Sequence, residues 1–115
     1  MRETHVRRNY RITIAKEARS LKNGLHNGVY EDLLRIIDGA RDSVGVSMVE
    51  VRRSIGYEDP TWEQLVFDVR VAVPAEQALA YWGRIGDAIQ DLMEHVDDPT
   101  REQLARHVSV HVNWS

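Results

Sequence analysis

The change of period at Pro74 constrains this chain more than any other feature. Before it, Leu65, Phe67, Val69, Val71 and Val73 alternate with Val66, Asp68, Arg70 and Ala72, a period of two. After it, Ala75, Ala78, Leu79, Trp82, Ile85, Ile89, Leu92, Met93 and Val96 recur on one side of a helix, a period of 3.6. Proline has no amide to give to a strand and sits easily in the first turn of a helix. The stretch predicts a half-buried strand that feeds a long helix, with the apolar stripe of the helix roofing the sheet.

The rest of the chain supplies partners for that unit. Tyr10, Ile12 and Ile14 alternate as in a strand, while Ile14, Ala18, Leu21 and Leu25 have helical spacing. A short strand or extended arm followed by a helix satisfies both, with Thr13 in position to cap the helix. Tyr30, Leu33, Leu34, Ile37 and Ala40 predict a helix over 29–44, and Gly45 suits a left-handed stop. Val49, Val51 and Ile55 predict a strand over 47–55, joined by a loop to the strand at 62–73. Asp97, Asp98 and Pro99 end the long helix and open a short one, and Val108, Val110, Val112 and Trp114 close the chain as a strand.

These elements predict an α+β fold. It is a two-layer sandwich with a small, three- to four-stranded, largely antiparallel sheet and helices on one face. If 10–14 is a strand, the element order resembles the split β-α-β arrangement of ferredoxin-like domains. Without it, the last strand is expected to lie parallel to 65–73.

At 115 residues the chain makes one domain, and 43% hydrophobic with 29% charged residues is ordinary for a soluble protein with its own core. There is no cysteine, which excludes disulfides, thiolate metal sites and cysteine nucleophiles. No apolar run approaches the roughly 18 residues that span a membrane. The polar, basic start does not resemble a secretory signal, so the expected location is the cytoplasm.

Charge is unevenly placed. Residues 1–28 carry seven basic residues against two acidic, a net of +5. The remainder carries eight against sixteen, a net of −8. The sequence thus divides into a basic arm over 1–28 and a compact domain over 29–115. Arg2, Arg7, Arg8, Arg11 and Arg19 are the candidates for contact with nucleic-acid phosphates or an acidic partner. A solvated arm is the plainer alternative, and the acidic body opposes broad DNA binding.

No reaction is specified. His107 and His111 are four apart but fall on an expected strand with no third ligand by spacing, so neither a metal nor a cofactor is expected. Asp87, Asp91, Glu94 and Asp98 make a carboxylate row on the outer side of the long helix, the usual pattern of a solvated face. The seven glycines form no phosphate loop, and no serine sits in a nucleophile motif. No catalytic residue is assigned.

Gly86 interrupts the long helix, either for close approach to the sheet or for a second helix across a dimer interface. Phe67 and Trp114 are expected to point away from the uncovered sheet face, which argues against an RNA-recognition platform there. It is either a solvated, ion-paired surface or, through Met48, Arg52, Val66, Asp68, Arg70 and Ala72, a dimer surface. The expected function is association, as a homodimer that binds itself and an unknown protein or small molecule. Nucleic-acid binding by the arm and a small enzyme with a pocket between sheet and helices are the alternatives.

Overall fold

The computed structural model describes residues 3–7, 10–26, 28–40, 45–56, 58 and 62–114. One sheet is built from β1 (Glu3–Arg7), β2 (Tyr10–Ile14), β3 (Val46–Ile55), β4 (Glu63–Val71) and β5 (Val108–Trp114), in that order across the sheet. The helices are α1 (Arg19–Asn23), α2 (Val29–Ala40), α3 (Ala75–Glu94) and α4 (Asp98–Arg106), with a 3-10 turn over Lys16–Ala18. The α+β class is as the sequence predicts.

The sheet is mixed, which corrects the largely antiparallel expectation. β1 and β2 pair antiparallel, as do β3 and β4, while β2–β3 and β4–β5 are parallel. Each parallel neighbour is reached over helices, and hydrophobic period carries no information about a neighbour's direction. Both crossovers join adjacent strands, whereas the split arrangement leaves room for another strand between them. The strand order is therefore not the ferredoxin-like one.

β2 and β4 run in opposite directions, both crossovers step the same way across the sheet, and both return over the same face. The two crossovers consequently have opposite hands. One of them is left-handed, against a preference of roughly 98% for the right-handed form.

The core is a set of cross-strand rows beneath the helices. Ile12, Val49, Val69 and Val112 stand in register, and Ile14, Val51, Phe67 and Val110 form the next row. All eight are buried. Val46 belongs to this face too, although it is three residues before Val49. The register slips between Val46 and Met48, and the extra residue, Ser47, turns its hydroxyl to the Arg70 carbonyl at 3.0 Å. Such a bulge resets the alternation, and for that reason Val46 fell outside the expected strand. At the other end Ile55 is exposed rather than core-facing.

Part of the segment over 10–26 packs into this core. Tyr10, Ile12, Ile14, Ala15 and Ala18 are all buried in it. Thr13 lies within β2 and caps no helix; the turn after Ala15 has no side-chain cap. The left-handed glycine is Gly28 (φ 83°) ahead of α2, not Gly45 behind it. Residues 41–44 lie outside the described residues.

α2 and α3 are joined where α2 ends. The Tyr81 hydroxyl donates to the Ile37 carbonyl at 2.7 Å, and Arg84 Nε donates to the Ala40 carbonyl at 2.8 Å. These are among the last-turn carbonyls that a helix cannot satisfy itself. At the far end Asp97 caps α4, its carboxylate accepting the Thr100 amide at 3.0 Å. Hydrogen bonds from Thr100, first its hydroxyl and then its amide, hold the Asp97 carboxyl below the usual carboxylate range. The folded state thus favours the charged form. The cap stabilises above the ordinary carboxylate pKa of about 3.9 and is lost as pH falls through the lower folded value. Asp97→Ala is expected to lower the melting temperature at neutral pH, with the deficit closing in strong acid; calorimetry across pH checks this.

Candidate functional site

The residues expected at a dimer surface lie on two sides of the molecule. Met48, Arg52, Val66, Asp68 and Arg70 are on the sheet face away from the helices, Ala72 just follows β4, and Gly86 is on α3. On the open face Asp68 is buried, accepting from Arg52 Nε on one oxygen and from Asn113 Nδ2 at 3.1 Å on the other. Val66 beside it is only 1% exposed. Ser109 Oγ and His111 Nε2 pair at 2.9 Å along the same face. The middle of this face is therefore closed by its own ion pair and hydrogen bonds, while Arg11, Arg70 and Ala72 around it are exposed.

Of the basic candidates, Arg11 and Arg19 are the two whose side chains the structure describes. Arg11 belongs to the open face of β2, and Arg19 begins α1 in the helical layer. Arg7 ends β1 opposite Tyr10. Arg2 and Arg8 lie outside the described residues. The carboxylate row is also shorter than expected, because α3 stops at Glu94 and Asp98 opens α4, where it meets Arg101 Nη1 at 2.6 Å.

Among the described residues, two grooves enter the helical layer, and each has polar lining groups that pair internally. Between α2 and α3, Asp32 pairs with Arg35 at 3.0 Å, and His95 Nδ1 lies 2.7 Å from the Asp91 carbonyl. Between α1 and α4, Gln103 bridges the Gly24 carbonyl and the His26 amide, each at 2.9 Å. Among the described residues, every buried side-chain nitrogen or oxygen has a partner, and no group of three or more acidic or histidine side chains is placed to hold a metal.

One feature left open among the described residues is on α3, which carries two apolar seams rather than one. Ala78, Tyr81 and Ile85 are buried, and with Ala88 and Leu92 they follow a three-four spacing into the core. Ala75, Leu79, Trp82, Gly86, Ile89 and Met93 follow the four-three spacing next to it. This second seam faces the margin of the sheet at β5, for Trp82 Nε1 donates to the Val110 carbonyl at 2.9 Å. Tyr81 and Arg84 mark the opposite side, toward α2. Trp82, Ile89 and Met93 are half-buried, but Leu79 is 54% exposed.

Gly86 sits in the middle of this outer seam and is exposed. A methyl group placed on it meets nothing within 4 Å, which rules out close approach to the sheet as the reason for a glycine. Since glycine in a helix interior costs about 0.5–1 kcal/mol relative to alanine, Gly86→Ala is expected to stabilise the single chain by about that amount. Urea titration at high dilution measures it.

Periodicity alone merges the two seams and leaves out Tyr81, whose hydroxyl makes it read as a surface residue until the Ile37 carbonyl is seen to receive it. The signal for two seams was present in the spacing itself, since six apolar or glycine positions four and three apart lie beside another set. No helix among the described residues is long and apolar enough to cross a membrane. Comparison with protein-family models, with curated proteins and with solved structures finds no match.

Proposed function

We propose that this protein works by association, as a homodimer whose subunits meet along the outer seam of α3. The observation that carries the reading is the continuous four-three spacing from Ala75 to Met93, with Leu79 open to water and bare backbone at Gly86. Four-three spacing is the pattern by which one helix packs along another. A glycine lets two backbones approach more closely than any side chain allows. A two-fold interface uses one patch twice, and a seam with a gap in its middle and larger side chains toward each end suits that use.

Size-exclusion chromatography with light scattering at micromolar concentration is expected to give about twice the 13.3 kDa of one chain. Leu79→Glu, which places a charge in the seam at an exposed position, is expected to give a folded monomer. A wild-type monomer under these conditions would remove the reading. So would a dimer that Leu79→Glu leaves intact.

A further inference from the structure

We infer that the free edge of β5 takes the β5 of a second copy, antiparallel about Val110, and that the Trp82 indole holds this edge closed in the single chain. The inference rests on the homodimer proposed above and names a second part of its interface.

β5 is the last strand of the sheet, with β4 on one side and no strand beyond it among the described residues. The Leu65 amide bonds the His107 carbonyl, so His107, Ser109, His111 and Asn113 turn their backbone groups toward β4. Backbone groups alternate along a strand, and those of Val108, Val110, Val112 and Trp114 therefore point outward. The Val110 carbonyl is taken by Trp82, whose ring also lies 5.9 Å from that of His111. The outward amides of Val110 and Val112 have no partner among the described residues.

Edge strands are ordinarily protected by lysine, proline, inward charge or a bulge. Val108–Trp114 has none of these: it is an uncharged run of valine, serine, histidine, asparagine and tryptophan without proline or glycine. In such a strand a single tryptophan is the guard.

The occupant follows from the strand's own symmetry. Paired antiparallel about Val110, Val108 faces the partner's Val112, and Ser109 faces the partner's His111. Within one chain Ser109 and His111 already pair at 2.9 Å, so the two side chains are suited to one another across the axis as well. In this register the Val110 amide of each copy donates to the Val110 carbonyl of the other. That carbonyl is the atom the indole now occupies, so indole and second strand compete for it.

A two-fold axis normal to the sheet makes both β5 and α3 antiparallel to their copies, and it serves edge and seam together. A stable interface buries about 800 Å² per partner. The seam offers one well-exposed large side chain and three half-covered ones, so the strand supplies contact that the helix alone lacks.

The test is residue-level amide exchange by NMR on the intact protein, dilute and concentrated, with Trp82→Phe alongside. Protection of the Val110 and Val112 amides that rises with dimer formation is the expected result. Trp82→Phe keeps a ring in the seam and removes the competing donor. It is expected to tighten dimerisation about five-fold, the worth of one neutral hydrogen bond. A dimer in which these amides exchange as fast as in the monomer overturns the edge pairing and leaves the seam reading standing. Dimerisation by Trp82→Phe that is unchanged or weaker overturns the competition. A monomer at every concentration overturns both readings together.

Discussion

Phe67→Ala is expected to lower the unfolding free energy by about 3–5 kcal/mol, the range for truncating a buried phenylalanine. Phe67 is fully buried on the interior strand β4, in register with Val51 on one side and Val110 on the other. The Tyr30 ring of α2 lies 5.8 Å from it across the interior. Strand rows and helical layer close around this one ring, and none of its neighbours can collapse into the space without breaking register. Domains of this size hold about 5–15 kcal/mol in all, so the variant is expected to be marginal at 37 °C. Guanidinium denaturation measures the loss. Leu79→Ala is the control: on the exposed seam of the monomer its cost is expected to stay within about 0.5 kcal/mol. If the two variants cost the same, the core is not where the rows of register put it.

The second large effect is expected on the open face. Asp68→Ala is predicted to cost about 1–3 kcal/mol, because it leaves the Arg52 and Asn113 donors without their shared acceptor. The Asp68 side chain is 12% exposed and that of Arg52 is 38% exposed, so solvent recovers part of the loss on the arginine side. Arg52→Ala should cost a similar amount, since it leaves a largely covered carboxylate with only the Asn113 amide. Because the two changes remove one interaction, the double variant should cost clearly less than the two singles added together. Additive costs across that cycle would show that the face is not held by this pair.

What could be read in the sequence divides along a physical line. β4 and α3 were legible because a strand of Leu65, Phe67, Val69 and Val71 and a helix of Ala78, Ile85 and Leu92 bury by period, and period is a local property. The Asp97 cap was legible because a cap needs only its own next three residues. The neighbour of β2 was not, since it depends on where a crossover lands, whereas β5 parallel to β4 was one of the two arrangements expected. The bulge at Ser47 hid Val46 by the same logic: one extra residue breaks the count without changing the composition. The closed middle of the open face was invisible because Asp68 and Asn113 are 45 residues apart and meet only through register. Gly86 was seen as unusual from the sequence. Its surroundings, empty rather than crowded, required coordinates.

The opposite hands of the two crossovers have a consequence for the architecture as a whole. A β-α-β path and its mirror image cannot be laid on each other by any rotation or translation. The half containing α2 and the half containing α3 are therefore not copies of one repeated module, however similar their strand-helix-strand outlines. Each half carries its own solution to covering the sheet, and neither can stand in for the other if fragments of the chain are recombined.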